Sequence, residues 1–186
     1  MLIMFTTEKN NPRSRILEVA DQLFYSEGIR ATGTEKIMAA ADVAKATFYR
    51  HFESKDALVL AYLDNRDKAF WEYLGGPDAP SDVHSALSMI DRYVNRTGVI
   101  GCPFLRVAAE YPDPDHPLHR RVVAHKDRLL RYLAKLMPTN SPDPEEFARM
   151  LVAIIDGALS MRLVFGPAQE VPLLATAERI FQSRRA

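Results

Sequence analysis

Lys45, Thr47, Tyr49, Arg50, His51 and Lys55 stand close together in Lys45-Ala46-Thr47-Phe48-Tyr49-Arg50-His51-Phe52-Glu53-Ser54-Lys55. Lys, Thr, Tyr and Arg are the donors that reach phosphate oxygens, and Arg or Lys also reads guanine edges in a major groove. Val43, Phe48 and Phe52 interrupt the polar series at helical spacing, so one face docks while the other stays outward. Ala44 and Ala46 are small enough to allow a close approach to a partner surface. Thr34, near the start of a preceding helix, offers a hydroxyl and a free backbone N–H to a phosphate. Lys55, at the start of the next helix, extends that clamp.

The elements that carry these residues are short helices joined by turns. Pro12 suits a helix N-terminus, and Ile16, Leu17, Ala20, Leu23 and Phe24 follow on one face until Gly28. A second helix begins near Thr34, capped either by Thr32 with Glu35 at capping-box spacing or by Gly33. Ile37, Ala40 and Ala41 are expected to face inward, Asp42 to take the turn, and a third helix to run from Lys45 to His51. A helix pair with a polar, cationic second member is a device for placing side chains in a DNA groove.

Beyond Ser54 the chain reads as helix and punctuation. A long helix carries Leu58, Tyr62, Phe70, Trp71 and Leu74 up to Gly75-Gly76-Pro77. Further helices are expected over about 82–96, 104–111, 118–137, 144–165 and 171–183, separated by Pro-rich or Gly-rich turns. No alternating strand pattern stands out. The expectation is an all-α fold of about nine helices, with a three-helix unit over 12–54 and a larger one over 55–186.

The totals narrow the function classes. Of 186 residues, Lys plus Arg number 24 and Asp plus Glu 24, so any nucleic-acid site is a local patch rather than a general coat. The single cysteine, Cys102, excludes an internal disulfide and fits a reducing cytoplasm. The opening Met-Leu-Ile-Met-Phe lacks the cationic flank of a secretory signal, and the residues before Pro12 are expected to be mobile. No apolar run approaches the roughly 18 residues of a membrane span. No cofactor is expected: there is no Gly-rich phosphate loop, helical His-x-x-x-His pair, nucleophile elbow or carboxylate dyad. That argues against a small all-α enzyme. A helical adaptor whose helix pair does not bind DNA remains compatible with the neutral charge.

Ala31-Thr32, Ile37, Ala41, Val43, Lys45, Thr47-Phe48-Tyr49, His51-Phe52 and Ser54-Lys55 resemble, in order and spacing, the TetR family of bacterial transcriptional repressors. The resemblance covers roughly residues 13–63. It implies that Lys45, Thr47, Tyr49, His51 and Lys55 contact double-stranded operator DNA, mostly at phosphates, with Thr34 at a further phosphate position. Arg50 and Ala46 belong to the same outward surface. Four positions depart from the pattern. Gly33 replaces a usual threonine, Met38 a usual alanine, Asp42 the usual turn glycine, and Ala46 a common glycine or proline. Asp tolerates the left-handed geometry of such a turn but brings a negative charge towards DNA.

The resemblance also implies a C-terminal domain that binds a small-molecule effector and forms a homodimer. Tyr62, Trp71, Met89, Tyr93 and Phe104 are candidates to line a cavity, with Phe70 and Tyr111 beside them, although each equally suits a packed core. Glu110 and Arg162 lie within apolar helices and need partners if buried; a ligand anchor and an internal salt bridge both fit. Ile154, Ile155 and Ala158 on the eighth helix, with Leu174, Ala177 and Phe181 on the ninth, form the surplus apolar surface expected to pair two protomers. Cys102, just before Pro103, is either a thiol sensor that would make this a redox- or electrophile-responsive repressor, or a buried structural cysteine. Asp113, Asp115, His116 and His119 read as a solvated turn rather than a metal site.

Overall fold

In a computed structural model the described residues are 11–183, with side chains up to Ile180. Residues 1–10, and the mobility expected of them, lie outside that range. Among the described residues there are nine α-helices and no strand: α1 Pro12–Glu27, α2 Thr34–Ala40, α3 Lys45–His51, α4 Lys55–Leu74, α5 Val83–Asn95, α6 Pro103–Glu110, α7 Pro117–Lys135, α8 Pro144–Phe165 and α9 Leu173–Ser183. The chain forms two compact units. The first holds residues 11–69 and Pro103–Val123; the second holds Phe70–Cys102 and residues 124–183. The first is therefore wider than residues 12–54, because the start of α4, all of α6 and the start of α7 pack with the N-terminal helices.

Local chemistry sets the helix ends. Asn11 caps α1 by accepting the Arg13 N–H at 3.0 Å, with Pro12 in the first turn where a missing N–H costs nothing. α1 stops at Gly28, whose φ of 96° suits a residue without Cβ and whose N–H reaches the Phe24 carbonyl. The cap of α2 is Gly33. Thr32 is instead buried and donates its hydroxyl to the Gly28 carbonyl at 2.7 Å, so the alternative capping box does not form. Asp82 and Ser85 cap α5 reciprocally, and Asp143 caps α8 through the Glu146 N–H at 2.8 Å.

The core of the first unit is built from Ile16, Ala20 and Phe24 of α1, Ile37 of α2, Phe48 of α3 and Leu58, Tyr62 and Leu63 of α4. Each large side chain so buried contributes about 1.5–3 kcal/mol. Ala40, expected to face inward, is exposed: at the last residue of α2 it lies beyond the turn that buries Ile37. Within this core sits a two-pronged ion pair. Arg66 Nε and Nη2 donate to the two Asp21 oxygens at 2.6 and 2.7 Å, tying α4 to α1. Burial works against the Arg66 charge, but the adjacent Asp21 carboxylate outweighs it and raises the guanidinium's pKa. The same guanidinium lies 4.2 Å from the Tyr25 ring centroid.

In the second unit α5 packs on α8 and α9. Asn95 exchanges two hydrogen bonds with the backbone of Val171, each 3.0 Å, and Asp91 accepts the Leu174 N–H at the start of α9. These side chains position the α8–α9 connection, which has no regular pairing of its own.

Removing one partner of the buried pair leaves an uncompensated charge. Arg66→Ala is expected to destabilise the protein by about 3 kcal/mol in denaturant unfolding. Lys36→Ala, which breaks the exposed Lys36–Glu27 pair, is expected to change it by less than about 1 kcal/mol.

Candidate nucleic-acid interface

The α2–α3 pair owes its shape to one turn. Ala41 closes α2 through the Ile37 carbonyl, and Asp42 follows with a φ of 50°, a left-handed position that Asp tolerates better than most residues. The Val43 N–H then returns to the Met38 carbonyl at 3.1 Å, and Arg15 of α1 donates to the Asp42 carbonyl at 3.1 Å. α1 packs on both α2 and α3. Phe48 and Phe52 are buried, as expected, while Val43 is only half-buried.

That docking decides which groups are left for a partner. Lys45, Ala46, Tyr49 and Arg50 are exposed, Tyr49 at 43% of its surface. Thr34, Thr47, His51 and Lys55 are half-buried, so they offer edges rather than whole side chains. The Tyr49 ring rests edge-on against Phe48 with centroids 5.2 Å apart, which directs its hydroxyl outward from the core. Lys36 on α2 is occupied by Glu27 at 2.6 and 2.7 Å.

Other residues singled out in the sequence fall in different places. Tyr62, Phe104 and Glu110 belong to the first unit. Tyr62 packs edge-on against Phe24, and burial raises its phenol pKa far above the ordinary value. Glu110 accepts the backbone N–H groups of Ile29 and Arg30 at 2.9 and 2.5 Å. Trp71, Met89, Tyr93 and Arg162 belong to the second unit. There Phe70 meets Trp71 and Tyr93 edge-on, and the Met89 carbonyl accepts the Tyr73 hydroxyl. Arg162 is 1% exposed and donates to the carbonyls of Val99, Arg96 and Gln169 at 2.9, 3.1 and 3.1 Å. Both charged groups therefore bond backbone; the internal salt bridge weighed for them does not form among the described residues. No sequence pattern marks such partners, because every residue carries the same N–H and carbonyl.

Cys102 is buried, and Lys126 Nζ lies 3.8 Å from its sulfur while pairing with Asp156. Ile155, Ala158 and Ala177 are buried within the chain, and Ile154 and Leu174 are half-buried; the Phe181 side chain lies outside the described residues. The exposed apolar surface of α8 is instead Met161, Leu163, Val164 and Phe165. Both α5 and α9 pack on α8. Among the described residues no group of His, Cys, Asp and Glu could hold a metal, and no helix is long and apolar enough to cross a membrane.

A three-helix unit with an outward cationic α3 is the architecture of a helix-turn-helix DNA-binding regulator. Residues 16–62 match the model of the bacterial regulatory proteins of the tetR family. A TetR-family transcriptional regulator from Streptomyces coelicolor is 34% identical, with 92% of this chain and 95% of that chain covered and a TM-score of 0.83. YvkB, an HTH-type transcriptional regulator of Bacillus subtilis, is 28% identical over 158 residues, 82% of this chain and 83% of its own. The chain belongs to the TetR family, and it is a DNA-binding transcriptional regulator rather than an enzyme.

The Asp42 turn separates backbone demand from charge. Asp42→Ala is expected to cost about 1 kcal/mol, because a Cβ without a hydrogen-bonding side chain is held in the left-handed region. Asp42→Asn is expected to keep the fold and bind DNA more tightly at low salt, with the advantage fading as salt screens the charge. Thermal melts and salt-dependent DNA titrations of the two variants check both statements.

Proposed function

We propose that this regulator is a homodimeric repressor that holds its operator through α3 and is released by a small-molecule effector. The observation that carries the reading is the exposure of Lys45, Tyr49 and Arg50 on a helix whose other face is pinned by Phe48 and Phe52. Lys45, Thr47, Tyr49, His51 and Lys55 contact phosphates, Thr34 adds a contact from the start of α2, and Arg50 reaches base edges beside the small Ala46. A curated relative from Rhodococcus jostii, KstR2, is described as a transcriptional repressor and is 37% identical over 54 residues, which supports repression. In a dimer two α3 helices sit about 34–36 Å apart to meet successive major grooves. An effector that binds the non-DNA state more tightly shifts the population away from that spacing. Trp71, Met89 and Tyr93 of the second unit remain candidates for its pocket, whereas Tyr62 and Phe104 lie in the first unit and the backbone bonds of Glu110 and Arg162 favour structural duties for those two.

Dimerisation is assigned to α8 and α9. The supporting observation is the exposed run of Met161, Leu163, Val164 and Phe165, a large apolar surface for water to cover.

Lys45→Ala and Tyr49→Phe are each expected to weaken operator binding by about 1–3 kcal/mol, with Lys45→Ala also lowering the salt slope by about 1. Unchanged affinity and slope in the folded double variant would remove α3 from the interface. Val164→Asp is expected to give monomers in sedimentation at micromolar concentration and weaker DNA binding; a dimer unaffected by that change would place the interface elsewhere.

A further inference from the structure

The loop between α1 and α2 has no regular pairing, yet it sets where the α2–α3 pair begins. Two successive N–H groups, those of Ile29 and Arg30, point at the carboxylate of Glu110, the last residue of α6, at 2.9 and 2.5 Å. Gly28 makes the approach feasible: a Cβ there would lie 3.2 Å from Glu110 Oε1, and its φ of 96° turns the following amides towards the acid. Two further features hold the loop. Thr32 closes the loop onto Gly28 and Ile29, and buried Ile29 anchors it to the core. A second side chain of α6, Arg106, donates to the Tyr25 carbonyl at 2.8 Å, in the last turn of α1. Downstream, the loop leads directly into α2, the Val43–Met38 bond closes the turn between α2 and α3, and Arg15 of α1 holds that turn through the Asp42 carbonyl. The position of Ile29 and Arg30 therefore sets where α2 starts and, through the α2–α3 turn, bears on the placement of α3.

We propose that Glu110 is a positioning residue for DNA binding: its carboxylate holds the α1–α2 loop so that α3 presents its outward face. The role rests on the reading of α3 as the operator-contacting helix. Glu110 touches no DNA; it acts through two backbone amides. Charge-assisted bonds to those amides are strong and directional, so a small shift of α6 disrupts them before it disturbs the apolar core. The proposal gives α6 a route to the DNA-reading helices that does not pass through the Asp21–Arg66 contact of α4.

The test uses the full chain and a duplex that the unmodified protein selects from a random-sequence pool. Glu110→Gln keeps the volume but turns one acceptor into an N–H2 group facing an N–H. Its operator affinity is expected to fall about tenfold, with a reduced salt slope and far-UV circular dichroism unchanged. Amide exchange at Ile29 and Arg30 is expected to accelerate in that variant while exchange at core amides of α1 does not. In a double-mutant cycle Glu110→Gln and Lys45→Ala are expected to be less than additive, because a misplaced α3 has already weakened the Lys45 contact. Unchanged affinity in folded Glu110→Gln overturns the proposal, and so does strict additivity with Lys45→Ala, the result for a group that only adds stability. If the unmodified protein selects no duplex, the reading of α3 itself fails; selection by the unmodified protein with no effect of Glu110→Gln sinks only the role given to Glu110.

Discussion

Two turns of helix cannot hold themselves in water, because nucleating a turn costs more than so few hydrogen bonds return. α2 and α3 have seven residues each, so their existence and direction depend on burial of a few side chains. Phe48 carries most of that dependence. It is fully buried, meets Phe52 in a tilted contact at 6.2 Å and backs the Tyr49 ring at 5.2 Å. One side chain thereby docks α3, fixes its rotation and aims a polar neighbour outward. α1 and α4, at 16 and 20 residues, supply the surface that α2 and α3 are too short to make for one another.

The electrostatics follow from that rotation rather than from composition. With equal numbers of cationic and acidic residues the chain has no long-range attraction for DNA. Lys45 and Arg50 are left outward on α3, while Lys36 is spent on Glu27, and Glu35, Asp42 and Glu53 are exposed nearby in sequence. A patch so small attracts a duplex only when its geometry is right. Precision in placing α3 then substitutes for field strength, and for that reason a clamp on the α1–α2 loop matters more here than it would on a strongly basic domain.

The N-terminal elements were legible in the sequence because their signals are local. Pro12, Gly28, Asp42 and Ser54 punctuate, Phe48 and Phe52 repeat at helical spacing, and the predicted span of α3 agrees with the observed one. The all-α class was legible for the same reason. What the sequence left open depends on which faces meet. Ile155, Ala158 and Ala177 read as surplus apolar surface, but they are buried within the chain, while Met161, Val164 and Phe165 are left outside. Glu110 and Arg162 were conspicuous as charges in apolar helices. Their partners were not, since a backbone amide or carbonyl lying many residues away leaves no mark on residue type.

Those backbone partners recur and have a common consequence. Glu110 holds the α1–α2 loop, Arg106 the end of α1, Asn95 the start of the α9 connection, and Arg162 the segments around Val99 and Gln169. In each case a side chain on a regular helix restrains a connecting segment or a helix end by one to three directional bonds. Apolar faces tolerate a slide of a fraction of an ångström, because contact is lost gradually with distance. A hydrogen bond weakens steeply once its angle closes, so the polar clamps yield first when a helix moves. The fold thus separates its duties: apolar faces keep each helix on its neighbour, and polar clamps decide where the connecting loops, and the short helices they lead into, come to rest.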